Sequence, residues 1–180
     1  MDLNAFFKIT YGIYIITTRL EYKLNGMVAT TFSQVTAEPV RMTLGINKES
    51  LTHEIIQKTG LIGVNALKQE TAFNFIGNFG FKSGRITDKF KDISFEPGTT
   101  GVPLLSENTV AVFEGRVIGS MDAGTHTIFL LEAVDARILA EEEPLTYEYY
   151  HKVIKGKSPK FAPTYIVNAA GRRSVIAPTE

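Results

Sequence analysis

The 180-residue chain carries 19 Lys and Arg against 19 Asp and Glu, a formal net charge of zero, and no segment gathers enough cations for a continuous basic face. Nucleic acid is thereby set aside as a partner. Cysteine is absent, which removes disulfides, thiol catalysis, iron–sulfur ligation and cysteine zinc sites together. The three histidines, His53, His126 and His151, offer no HxxxH spacing, so no metal site is expected. The length suits a single domain over residues 1–180, burying roughly two thirds of its unfolded surface. Its first residues, Met-Asp-Leu-Asn, are acidic and no long apolar run follows. Neither a signal peptide nor a membrane span is expected, and the default location is cytoplasmic.

Residues 9–18 are rich in β-branched and aromatic side chains and predict a buried strand. Residues 20–24 lead into Asn25-Gly26, a strong hairpin signal, so a strand over residues 28–36 is expected to pair with the first. Glu38-Pro39 stops that strand, because proline lacks the donor a ladder needs, and residues 40–46 read as the third. Ser50 or Thr52 caps a short helix that runs to Lys58 and stops at Gly60. Strand character returns over residues 61–67. Residues 70–79 then place Ala72, Phe75, Ile76 and Phe79 at helical spacing, with Gly80 as the stop.

Residues 81–90 form an exposed loop and a turn of helix, readable either as a solvated connector or as a phosphate-facing loop with Ser83 and Arg85 as donors. Residues 91–107, with Pro97, Gly98, Gly101 and Pro103, predict loop or irregular edge. Two long alternating segments, residues 109–117 and 127–139, predict an antiparallel pair joined through residues 120–126. In the first of them Val110, Val112, Glu114 and Arg116 share one face. Glu141, Glu142 and Glu143 make an acidic turn, residues 146–155 a helix ending at Gly156, and the remainder an extended tail. Tyr147, Tyr149 and Tyr150 are placed to pack that tail on the barrel or on a partner subunit. The fold class is mainly β, an antiparallel barrel with a few short helices and not a doubly wound sheet.

The chain has no G-x-S-x-G elbow, no G-x-G-x-x-G turn and no Walker loop. What remains is a set of donors: Thr30, Thr31, Ser33, Gln34, Asn47, Lys48, Ser50, Thr52, Ser83 and Arg85. Hydroxyls and cations at a helix start suit a phosphate, because unpaired amides and the helix dipole meet there. Each hydroxyl taken alone reads equally as a cap or a strand-edge residue.

Four blocks carry a resemblance: Asn25-Gly-Met-Val-Ala-Thr-Thr-Phe-Ser-Gln-Val-Thr-Ala-Glu-Pro39, Ile46-Asn-Lys-Glu-Ser-Leu-Thr-His53, residues 73–85, and Gly124-Thr-His-Thr-Ile-Phe129. In that order they resemble the flavin reductase-like family, the FMN-binding split barrels. Within that family the chain resembles the flavin reductase domain of high-molecular-weight rubredoxins, also through Tyr149-Tyr-His-Lys-Val-Ile-Lys-Gly-Lys-Ser-Pro-Lys-Phe-Ala-Pro-Thr-Tyr165, but without the rubredoxin module, having no C-x-x-C. The resemblance implies an antiparallel split β-barrel that binds FMN in a groove at a homodimer interface, with NADH or NADPH as electron donor. It implies that Ala29, Thr30, Thr31, Phe32, Ser33 and Gln34 line the isoalloxazine ring. Asn47, Lys48, Ser50, Thr52 and His53, with Ser83 and Arg85, would hold the ribityl phosphate.

His126 matches the histidine of the family's Gly-Asp-His motif, near the nicotinamide side of the flavin, and is the catalytic candidate. The motif here reads Gly-Thr-His, so a strand-end histidine with a structural hydrogen bond stands as the other reading. Hydride transfer from a nicotinamide to FMN needs no protein nucleophile. The implied function is an NAD(P)H:flavin oxidoreductase passing electrons to a free flavin, oxygen, a metal chelate or a redox partner protein. A flavoredoxin-like electron carrier, reduced by a partner protein, is the alternative, and a barrel for another planar ligand such as haem or a pyridoxal derivative is the third.

Overall fold

The computed structural model describes residues 1–159 and 162–163, so the expected tail falls outside the described residues at 160–161 and 164–180. After a 3-10 turn at Leu3–Lys8, the β-branched run forms strand β1 (Tyr14–Leu20), whose residues Ile15, Ile16, Thr17 and Thr18 are all buried. The chain reverses at Glu21-Tyr22, with Glu21 at φ 53°, and returns as β2 (Lys23–Ala29). Asn25-Gly26 is therefore not the turn. These residues pair with Thr18 and Thr17 in mid-strand. Packing is close at the glycine: a Cβ at Gly26 would lie 3.0 Å from the Phe79 ring and 3.1 Å from the Ile16 carbonyl.

The strand expected over residues 28–36 is two strands. β2 ends at Ala29, Thr30 and Thr31 cross over, and β3 (Phe32–Ala37) begins a separate hairpin with β4 (Val40–Asn47) around Glu38-Pro39. The large sheet runs β2-β1-β5-β8-β9-β4-β3, using β5 (Leu61–Leu67), β8 (Thr109–Ala123) and β9 (His126–Ile138), with every pair antiparallel. Consecutive strands β2 and β3 thus sit on opposite edges. The sheet rolls until one two-residue crossover spans its open seam, which is the split barrel expected by resemblance.

Helix α1 (Leu51–Thr59) begins as predicted: the Ser50 hydroxyl accepts from the His53 amide, and Gly60, at φ 66°, donates its amide to Ile56 at 2.8 Å. Helix α2 (Phe73–Gly80) starts three residues later than the periodicity predicts, because Thr71 is buried and its amide and hydroxyl both close a turn onto the Lys68 carbonyl. Helix α3 (Tyr147–Lys152) is capped by Thr146 and ends before Lys155, which adopts φ 58°. The stretch expected as loop over residues 91–107 contains a small hairpin, β6 (Phe95–Pro97) with β7 (Pro103–Leu105).

The β8–β9 hairpin is longer than predicted. Most of residues 120–126 is strand, and the reversal narrows to Gly124-Thr125, with Gly124 at φ 78°. Register shifts at Glu114/Gly115 and Val117/Gly119 break the expected alternation, so Glu114 and Gly115 are both buried and Arg116 is exposed. One apolar cluster, built on Ile16, Leu44, Ile46, Ile62, Val64 and Leu131, fills the barrel. A second, with Ile15, Leu67, Ile76, Phe79 and Tyr150, packs α2 and α3 against its outside. Among the described residues no helix is long and apolar enough to cross a membrane.

Candidate functional site

A cleft of about 450 Å³ opens where the seam crossover, the end of β2, the start of α1 and the loop after α2 converge. Its walls are set by close backbone approaches. Asn25 is buried on β2 and its amide donates to the Thr52 hydroxyl at 2.8 Å, tying β2 to the first turn of α1. The loop after α2 lies on the same asparagine: a Cβ at Gly84 would meet Asn25 Oδ1 at 1.9 Å, so only glycine allows that approach.

On the other side, the Asn47 side chain accepts from the Glu49 amide and the Asn47 carbonyl takes both the amide and the hydroxyl of Ser50, which shapes the turn into α1. Asn47 also pairs with His126 at the tip of the β8–β9 hairpin. The His126 Nδ1 lies 2.9 Å from the Thr125 hydroxyl. Tyr147 and Tyr150 close the cleft from α3, their hydroxyls holding Ser158 at 2.9 Å and the Lys157 carbonyl at 3.2 Å, so that residues 157–159 and 162–163 form part of the wall. Burial pushes the Tyr150 hydroxyl up to about 12, which keeps it a neutral donor.

The structure brings Ala29, Thr30, Thr31, Asn47, Ser50, Thr52, Ser83 and His126 to this cleft. Thr30 is 7% exposed and its hydroxyl has no hydrogen-bond partner among the described residues. The other candidates lie elsewhere. Phe32 turns into the barrel against Tyr14 and Phe113, at ring distances of 5.1 and 5.4 Å. Ser33 and Gln34 are exposed on edge strand β3 and bond to backbone carbonyls close by. His53 is on the buried face of α1, its Nε2 2.8 Å from the Thr127 hydroxyl, and burial, with the Lys48 charge nearby, pushes it below the ordinary histidine range.

Lys48 is paired with Asp122 at 2.6 Å, and Arg85 with Glu54, its guanidinium also reaching the Glu49 carbonyl at 3.4 Å. These pairs hold the Asp122 and Glu54 carboxyls below their usual range and raise Arg85. Sequence reading missed Asn25, taken for a turn residue, and Lys89, which is 4% exposed and lines the cleft. Nothing in the local sequence distinguishes Lys89 from any loop lysine.

Hydroxyl and amide donors around a helix start, an orphaned threonine hydroxyl and apolar walls from Met27, Val28, Phe79 and Phe81 fit a planar ring carrying a polar, anionic tail. The fold and this cleft define a split-barrel protein of the flavin reductase type. The chain belongs to the flavin reductase-like family: residues 6–156 match the flavin reductase like domain. It is 44% identical, over 92% of its length and 98% of the relative's, to a ferric-chelate reductase (NAD(P)H) of Archaeoglobus fulgidus. It is 42% identical, over 98% of its length and 77% of the relative's, to a high molecular weight rubredoxin of Moorella thermoacetica. Among solved structures it resembles the flavin reductase PheA2 in its native state, with a TM-score of 0.68 and 30% identity over 79% of this chain and 88% of that one.

Proposed function

We propose that this chain is an NAD(P)H:flavin oxidoreductase that holds FMN in the cleft and passes electrons to a second flavin, a chelated metal or a redox partner. The observation that carries the reading is the cleft at the seam, with the buried Thr30 hydroxyl lacking a partner among the described residues beside a ring of donors at the start of α1. FMN, when bound, supplies the ring that accepts a hydride from the nicotinamide. The protein's part is placement and exclusion of water. Ala29, Thr30 and Thr31 present the seam backbone and small side chains to the ring. Asn47, Ser50, Thr52 and Ser83 offer donors to its polar tail. His126, fixed by the hairpin tip and Thr125, borders the face open to the nicotinamide. Lys48 and Arg85 act one step back: by pairing with Asp122 and with Glu54 they hold the hairpin tip and the 81–88 loop against α1.

The family match at residues 6–156 supports reading the chain as one flavin reductase-like unit, and Tyr147, Tyr150, residues 157–159 and residues 162–163 wall the cleft from its C-terminal part. A homodimer is supported by β3, an edge strand with Ser33, Gln34, Val35, Thr36 and Ala37 all exposed, which a second copy would cover. Light scattering giving twice the chain mass is the expected result; the chain mass alone would exclude it.

The decisive test is the anaerobic visible spectrum before and after addition of NADH and then NADPH. Bound flavin bands that bleach are expected. A protein that takes up no flavin would overturn the reading. A second reading, a flavin carrier reduced by a partner protein, is supported by the wall that residues 157–159 add to the cleft, held there by Tyr147 and Tyr150, and flavin bands that ignore both nicotinamides would select it.

A further inference from the structure

Three lysines line the cleft, Lys82, Lys89 and Lys157, and among the described residues none of them is in an ion pair; Lys82 and Lys157 are exposed, whereas Lys89 is buried. Lys89 is 4% exposed, and its ammonium donates to the carbonyls of Gly26 at 2.8 Å and Phe79 at 2.9 Å. An ammonium has three N–H donors, and these carbonyls take two. Among the described residues no ion pair includes Lys89, whereas Lys48 and Arg85 are both neutralised. A buried charge without a counter-ion is costly, and buried charges are ordinarily paired. The cleft that Lys89 lines gives an anion a route to it.

We propose that Lys89 is the phosphate-binding cation of the cleft, taking the terminal phosphate of a phosphorylated flavin on its third N–H and so selecting FMN over riboflavin. This rests on the flavin reading above and deepens it. The site is built around that role. The Asn78 amide holds the Lys89 carbonyl at 2.7 Å, fixing the stem of the side chain, and the two carbonyls aim the ammonium. Asn25 joins the strand segment that binds Lys89 to Thr52 in the first turn of α1, so a phosphate on Lys89 also lies within reach of that helix start. Burial lowers Lys89 to about 8, the state expected of a cation awaiting its anion.

The test is a two-ligand comparison. FMN and riboflavin, which differ only by the phosphate, are titrated against the wild-type chain, Lys89→Met and Lys89→Arg. In Lys89→Met, FMN affinity is expected to fall roughly 10- to 100-fold, the size of a charge-assisted bond, while riboflavin affinity changes little. Lys89→Arg should recover part of the loss. Equal losses for both flavins would make Lys89 only a clasp between β2 and α2 and overturn the proposal, as would an unchanged FMN affinity.

A second measurement needs no variant. At pH 9, calorimetry in two buffers of different ionisation heat should show roughly one proton taken up with FMN and none with riboflavin. Lys82, Arg85 with its partner Glu54, and Asp88 flank Lys89 along the 81–90 stretch, while Glu49, His126, Tyr147, Tyr150 and Lys157 share the cleft. All of them meet both flavins, so the difference between the ligands isolates the phosphate. Equal proton uptake would overturn the proposal. Wild-type chain that binds neither flavin would instead refute the flavin reading itself.

Discussion

Lys89 links stability to pH in the empty protein. Its folded value of about 8 lies below the ordinary 10.5, so between those values the unfolded chain holds more protons than the folded one. Stability therefore rises as pH climbs from about 8 towards 10.5, and below pH 8 the full penalty of the buried charge is present. The displacement corresponds to about 3 kcal/mol. Denaturant unfolding of wild type against Lys89→Met should show this rise only in the wild type; parallel curves would sink it. Glu114 is the opposite case, a buried carboxylate fully used: it accepts from the Thr99 and Thr100 amides at 2.7 and 2.8 Å and from the Thr100 hydroxyl at 2.6 Å. Glu114→Gln turns one acceptor into a donor against these groups and should cost about 2 kcal/mol of stability, read by thermal melting, with flavin affinity unmoved. Sequence alone showed neither role. Lys89 and Glu114 have neighbours like those of any loop lysine or strand glutamate, and their partners come from distant segments.

Among the elements, the strands and α1 were readable because their signals are local: β-branched runs, alternation, and Ser50 and Gly60 at the ends of one helix. The seam was not. Strand-like residues continue unbroken from Val28 to Thr36, and only the sheet order reveals that Thr30 and Thr31 change edges. Asn25-Gly26 misled for a related reason, since a dipeptide suited to a turn is equally suited to close packing under Phe79 and Gly84. Of the expected site, the donors at the crossover and at the start of α1 converge, while Lys48 and Arg85 turn to partners 74 and 31 residues away. Gly84 tests how the 81–88 loop is placed. Gly84→Ala drives a methyl into Asn25 Oδ1, an overpacking of order 1–3 kcal/mol that an exposed loop relieves by lifting off β2. FMN affinity should drop roughly tenfold with little change in melting temperature. An unaltered affinity would mean that the loop is not a wall of the flavin site.

At the scale of the whole molecule, the cleft draws on both sides of the seam. β2 contributes Asn25 through Ala29 from one edge, the β4–α1 corner contributes Asn47, Ser50 and Thr52 from the other side of the seam, and the loop after α2 lies across them. Thr31 fastens the seam by donating to the Gly45 carbonyl at 2.8 Å. A ligand lodged there bridges segments that no continuous ladder joins, and it stabilises them together because it binds only the folded arrangement. Hydrogen exchange should accordingly slow on FMN addition at residues 25–31, 47–52 and 80–84 as a group. The β5–β8 ladder on the opposite wall should be unaffected until global unfolding dominates exchange there. Protection confined to one of the three segments would place the flavin on a single edge. Protection spread evenly over the barrel would show that ligand binding stabilises the molecule only globally, with no local closure of the seam.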